Sequence, residues 1–442
     1  MTLTEAAFWT KRVGVILMVM VGIFLIFAII VTTRSNAPLP PEYLEANYAC
    51  TEKKEDFLAH RLEIPSLELA ADSEQVFDVK TETGKVNSLS DIKIINVHSY
   101  KESLQLLSNQ NVAKSLASDL GFDPEAIFRR GTTDYIWTSN VNKRSLTVDA
   151  KTLNFELTTE PAYIREVARE QSVPTESQAK TIAINALRRL NVLGSDFDLS
   201  DSTLVTTQYV DINPDGSFSQ TTNLGDAELI KVNFKRLRPM VSIKENIVGS
   251  EAMVRSLNNL MGEATEDTVI INDTRIKIFN YSTLIVHTNP VSSNVVVYVG
   301  PEDPNSEAFN NIYKIELRYW QLNSEHCGTY ELISPAAAIE GVQNGDGSLV
   351  YLNEKGGDEI RPYQPKSVRK FTIFYIELVY YEPVNQPFFL QPVYLIGGDA
   401  LFQNGTTGEF HFYYPAINYD IVQDKIEQVA PEIDESKGQG LI

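Results

Sequence analysis

Five histidines, His60, His98, His287, His326 and His411, are the side chains best suited to proton transfer or metal ligation, and they are scattered along the chain. None forms an HExxH motif or another short paired spacing, so no local zinc site is written in the sequence. The densest run of potential ligands is Glu325-His326-Cys327. Consecutive residues seldom converge on one ion, and the following Gly328 points to a loop. Gly345-Asp346-Gly347 and the run from Glu354 to Asp358 mix glycine with acid but lack the ligand spacing of a calcium loop, so they read as turns. A nucleophile elbow, an S-x-x-K set and a phosphate-cradling glycine loop are all missing from the 442 residues. The expectation is therefore no metal, no cofactor and no nameable catalytic residue. An envelope hydrolase or peptidoglycan-associated enzyme, with a site assembled from distant segments, is the alternative that a linear reading cannot see.

Two further sets of residues bear on binding. Tyr380, Tyr381, Phe389, Tyr394, Phe412 and Tyr414 fall in strand-like runs, where alternation sends successive side chains to opposite faces. Tyrosine tolerates the outward position, and a row of outward rings offers a partner much contact area at low entropic cost. Tyr380 and Tyr381 are adjacent, so one is expected inward and one outward. Cys50 and Cys327 are the only cysteines, and an oxidising compartment would allow them to pair. Nothing in their spacing fixes the distance between them.

The elements that must position these residues read as α+β. Val112, Leu116, Ala117 and Leu120 recur at helical spacing before Gly121, and strand-like runs follow from Tyr135 to Thr159. A second helix opens on Thr175-Glu176-Ser177-Gln178, a capping box, and carries Ala179, Ile182, Ala183, Ala186, Leu187 and Leu190 as one apolar stripe. Ser334-Pro335 starts a third, with serine at the N-cap and proline in the first turn. Hairpin-linked strands fill most of the remainder, so antiparallel modules each covered by a short helix are expected.

From Val13 to Thr32 the chain has twenty residues without a charge, enough for a helix across the ~30 Å hydrocarbon layer of a membrane. Lys11 and Arg12 on one flank against Arg34 on the other favour a cytoplasmic N-terminus. A cleaved signal peptide fits less well, because the run exceeds the usual length and Pro38 follows the small residues Ser35 to Ala37. The expected layout is a cytoplasmic tail over 1–12, a span over 13–32, a stalk over 33–60, α+β modules over 61–165 and 166–425, and a frayed tail over 426–442. The formal charge is −20, and because residues 1–34 carry +2, the remainder carries −22. Such a surface repels phosphate backbones, which excludes nucleic acid as a partner class.

The run from Glu377 to Ile417, with its LVYY strand, LQPVY strand and closing YPAI, resembles the C-terminal part of bacterial membrane-anchored regulators of the YycH/YycI type. The pattern of an alanine-containing helix followed by a hairpin with an aromatic strand is similar to PepSY-like domains. That resemblance implies one N-terminal helix, extracytoplasmic α+β modules and action by contact with another protein, a sensor kinase in those families, without catalysis. This chain is longer than the pattern and has extra segments after the second helix, so the partner does not transfer with the resemblance.

Overall fold

A computed structural model describes residues 46–50, 57–80, 92–101, 106–131, 133–246, 249–271, 274–385 and 388–423. The expected span 13–32 and the tail 426–442 lie outside them. No helix among the described residues is long and apolar enough to cross a membrane.

In chain order, β1 (Phe77–Val79) and β2 (Ile94–Tyr100) precede helix α1 (Leu106–Asp119). A meander follows: β3 (Phe128–Arg130), β4 (Asp134–Ser139), β5 (Arg144–Asp149) and β6 (Phe155–Thr159). Helices α2 (Pro161–Glu170) and α3 (Glu176–Leu190) lead to β7 (Val205–Ile212), β8 (Phe218–Thr221) and β9 (Leu229–Phe234). Then come β10 (Arg236–Lys244), α4 (Ser250–Met261), β11 (Thr265–Ile271), β12 (Thr274–Val286), β13 (Val295–Val299) and β14 (Ile312–Leu317). The last elements are β15 (Leu322–Glu331), α5 (Pro335–Gln343), β16 (Ser348–Glu354), β17 (Val368–Tyr381), β18 (Phe389–Phe402) and β19 (Thr407–Pro415).

These strands make two sheets. The nine-stranded sheet runs β3-β4-β5-β6-β14-β13-β9-β7-β8, and every pairing in it is antiparallel. The ten-stranded sheet runs β10-β12-β17-β18-β19-β16, with β11 on β12, β1 on β17, and β2 between β15 and β18. Two of its contacts are parallel, β1 with β17 and β12 with β17. The α+β class therefore holds, with a mixed second sheet. Sequential modules divided at residue 165 do not describe this topology, because each sheet takes strands from both sides of that point. Local patterning reports hairpins, whereas the chain closes these sheets through long-range pairs such as β6 with β14, which no local pattern encodes.

Helices form where the sequence supplies both a stripe and caps. In α3 the Thr175 side chain accepts from Gln178 N, the Gln178 side chain accepts from Thr175 N, and Asn191 closes the helix in a left-handed conformation at φ 50°. Ala179, Ala183, Leu187 and Leu190 then meet Val232 and Phe234 of β9 in one core with Ala113, Leu116 and Ala117 of α1. Each fully buried leucine there contributes about 1.5–3 kcal/mol. Helix α5 is capped by the Ser334 hydroxyl accepting from Ala337 N at 3.2 Å, and packs Ala338, Ile339 and Val342 on the ten-stranded sheet.

The expected stalk is partly a correction. Over 46–50 and 57–60, its described residues, it is packed against the fold: Tyr48 and Phe57 are buried, and Phe57 stacks on Tyr330 with ring centroids 4.2 Å apart. Cys50 and Cys327 are joined there in a disulfide. A charged, proline-rich segment reads as solvated because the strand that receives its few aromatics lies some 280 residues away in the chain.

Candidate functional site

The C-terminal aromatics do not form an outward face. Tyr380 and Tyr381 do point to opposite faces of β17, but both are buried, at 0% and 1% exposure. Tyr380 donates to Asn96 O at 2.6 Å on one face, and Tyr381 packs against Tyr413 on the other. Tyr394 donates to Ile333 O at 2.7 Å, Phe389 packs against Phe57, and Phe412 sits between Phe371 and Phe410. Tyr414 is half-buried and so close to Gly341 that a Cβ there would lie 2.2 Å from its ring. The expectation of exposed rings is thus corrected: alternation holds, but helix α5, strand β2 and the incoming N-terminal segment cover both faces of the sheet. Glu325-His326-Cys327 is likewise no ligand set, since Cys327 is bonded to Cys50.

Sequence reasoning missed a buried charged network where the chain passes between the sheets. Among the described strands the chain changes sheet four times: between β2 and β3, at Lys235, over 287–294 and over 318–321. Arg236 opens β10 immediately after the second crossing and is 0% exposed. Its Nη1 donates to Glu382 Oε1 and Oε2 at 2.8 and 2.9 Å, and its Nη2 to Asp196 Oδ2 at 3.0 Å and Trp320 O at 3.1 Å. The guanidinium also lies over the Tyr319 ring, 4.6 Å from its centroid. Glu382, itself 0% exposed, accepts further from Asn294 Nδ2 and Trp320 N. Arg238 donates to Asp196 Oδ1 at 2.8 Å and to Asn323 O and Ser324 O. Burial acts to lower the Arg236 pKa, but Glu382 and Asp196 outweigh it and the net shift is upward. Two guanidinium groups face two carboxylates, so the network is balanced in charge and calls for no added ion.

His98 of β2 completes the network. Arg238 Nε donates to its Nδ1 at 3.3 Å, and its Nε2 faces Pro239 O at 2.9 Å, which selects the neutral ring protonated on Nε2. Burial first, then the charge of Arg238, holds the imidazole at about 3, against an ordinary 6.5. Between those values the folded protein binds fewer protons than the unfolded chain. The stability due to the neutral ring is therefore complete above about pH 6.5 and falls as pH drops towards 3, by up to about 1.4 kcal/mol per pH unit. His98→Asn should flatten the dependence of unfolding free energy on pH between 7 and 4, measured by urea titration; equal slopes in variant and wild type would remove His98 from the acid response.

Beside this network lies a cavity of about 290 Å³. Leu116 of α1, Leu153, Val192, Leu317, Tyr319 and Trp320 provide its apolar wall. Tyr319 is held by its hydroxyl donating to Val192 O at 2.5 Å, so one ring separates the cavity from Arg236. Asn109 also lines it and is 1% exposed; its Nδ2 donates to Ala150 O and Lys151 O, both at 2.9 Å. Both amide protons are thereby used, and its buried Oδ1 has no partner among the described residues. Lys101 and Lys151 stand exposed at the rim, with Asp119, and neither lysine has an acidic partner among the described residues. Two wall residues are left-handed without being glycine, Leu153 at φ 60° and Asn191 at φ 50°. Asn191 is the C-cap of α3, where asparagine commonly takes this conformation, so the strain is confined to Leu153. The turn at Leu153 is fixed by Asp149 Oδ1, which accepts from Lys151 N, Thr152 N and the Thr152 hydroxyl.

Other perturbed groups lie elsewhere. The Tyr375 hydroxyl meets His411 Nε2 at 2.6 Å, and burial holds His411 down at about 4. Glu359 is raised by burial, and Lys231 of β9 is lowered by it. None of these lines the cavity beside the network.

No family model matches this chain. No curated protein matches it either. Among solved structures, it is similar to an uncharacterized protein from Eubacterium rectale ATCC 33656, at 10% identity and a TM-score of 0.33, over 80% of this chain and 92% of that one. Nothing about function follows from that likeness.

Proposed function

We propose that this chain is a membrane-anchored, extracytoplasmic binding protein that acts through contact with another protein. The observation that carries the reading is the cavity beside the charged network. It offers an apolar wall and, at its rim, two lysines without acidic partners among the described residues, which suit recognition, and the lining residues include no pair of convergent acid and base. The uncharged run from Val13 to Thr32 supports an anchor, and the Cys50–Cys327 bond supports an oxidising compartment. Modulation of a sensor kinase is the form that the resemblance to YycH/YycI-type regulators suggests.

A photocrosslinking residue at Val112, which is 51% exposed at the cavity, should capture a defined membrane protein in intact cells. The same residue at Val141, 71% exposed and outside the cavity lining, should not. Equal labelling from both positions, or none from Val112, would defeat the proposal.

A further inference from the structure

We infer that His287 is a proton-operated clamp at the junction of the two sheets, closed when its ring is the imidazolium and opened when the ring loses its second proton. The residue follows the end of β12 and begins the crossing over 287–294, with its side chain 14% exposed. Its Nδ1 meets Glu382 O at 2.8 Å and its Nε2 meets Arg318 O at 3.0 Å. A carbonyl oxygen only accepts, and a neutral imidazole has one N–H. A neutral ring therefore serves one of these oxygens and turns a lone pair on the other. The doubly protonated ring serves both, with the stronger bonds of a charged donor. His98 differs in kind: it faces one carbonyl and receives a donor, Arg238 Nε, on its other nitrogen, which suits the neutral ring. The two histidines of the junction thus require opposite protonation states.

What the clamp holds follows from its partners. Arg318 begins the crossing over 318–321 and Glu382 follows the end of β17, so one ring ties three chain segments. Both ends of the 287–294 crossing are secured there. His287 O accepts from the Tyr413 hydroxyl at 2.8 Å, Asn294 Nδ2 donates to the Glu382 carboxylate, and Asn294 O accepts from Arg318 N. The charged and titratable groups that face the ring come from each of these elements. Glu382 Oε2 lies 3.9 Å from Nε2, and its sign suits an imidazolium. Arg318 pairs with Glu156 at 3.1 Å, and Arg236 is held by Glu382 and Asp196. Tyr381 and Tyr413 are raised by burial and stay neutral.

The test is hydrogen exchange of the full chain in detergent micelles at pH 6 and pH 9, corrected for the intrinsic pH dependence of exchange. Mass spectrometry reads peptides covering 287–294 and 318–321, with peptides from α3 as internal reference. A free imidazole gives up its second proton at about pH 6.5. The bonds made by the charged ring alone are present below the loss of that proton and absent above it. Both crossings should therefore be at least about fivefold less protected at pH 9 than at pH 6, and α3 should not change. His98 and His411, held at about 3 and about 4, stay neutral at both values. In His287→Gln, which has no titratable ring, the difference should vanish, whereas His60→Gln and His326→Gln should retain it. Equal protection of the wild type at the two pH values, an equal change in α3, an unchanged difference in His287→Gln or its loss in either control variant would overturn the inference. If His287→Gln does not fold, the wild type and the two controls still decide, because a difference confined to the crossings and kept in both controls leaves His287 as the histidine that titrates there.

Discussion

Replacing Glu382 with alanine is expected to destabilise the folded chain by about 3–5 kcal/mol, the range observed when one partner of a buried ion pair is removed. Glu382 and Arg236 are both 0% exposed, so water cannot take over the lost contact. Without Glu382, the network retains Arg236 and Arg238 against Asp196 alone, and Asn294 Nδ2 and Trp320 N lose their shared acceptor. The damage falls at the junction of both sheets, because Arg236, Asn294 and Trp320 come from three different crossings between them. Urea or thermal unfolding measures the loss. The Arg236→Met/Glu382→Leu double variant provides the control, since replacing both charges leaves Arg238 balanced by Asp196; it should recover much of what Glu382→Ala loses. A loss below 1 kcal/mol in the single variant, or a double variant that loses the sum of both singles, would show that the network does not act as a unit.

That network explains why part of the molecule was legible in its sequence and part was not. The capping box at Thr175 and Gln178, the Ser334-Pro335 start and the stripe of α3 are local devices, and each appears where its residues stand; the stripe of α1 departs from expectation at its start, where Ala113 faces the core and Val112 is exposed. Strand β10 shows the limit. In Arg236-Leu237-Arg238 the usual reading turns leucine inward and arginine outward, yet both arginines are buried and Leu237 is only half-buried. Burying an arginine requires carboxylates in place, and the two that serve, Asp196 and Glu382, lie 40 residues before and 146 residues after Arg236. The cavity is hidden for the same reason, since Asn109, Leu153, Val192 and Tyr319 meet only after the two sheets have closed. One signal was available: Glu382 and Pro383 directly follow an apolar strand, a position where a charge is either a solvated end or the partner of a buried cation. The aromatic run of β17 failed differently. Its alternation was correct, but exposure depends on what covers each face, and the covering segments are far away in the chain.

Removing the Cys50–Cys327 bond is the other large effect, with an expected cost of about 2–5 kcal/mol for Cys327→Ser. The bond joins residues 277 apart, so its loss releases a long loop in the unfolded chain, where most of the stabilisation arises. Local contacts will hold the native geometry only in part: Tyr48 N donates to Thr329 O, and Thr329 N donates to Asn47 Oδ1 at 2.8 Å. The approach is close enough that a Cβ on Gly328 would lie 2.7 Å from Ala49 N, so Gly328 is required for the two backbones to meet. Reductant should lower the unfolding midpoint of the wild type to that of Cys327→Ser and leave the variant unchanged. An unchanged wild-type midpoint, or alkylation of Cys327 in the native unreduced chain, would show free thiols. The position of the bond bears on any anchored function. It ties the segment at Cys50 to β15, and β15 carries Asn323 and Ser324, whose carbonyls accept from Arg238.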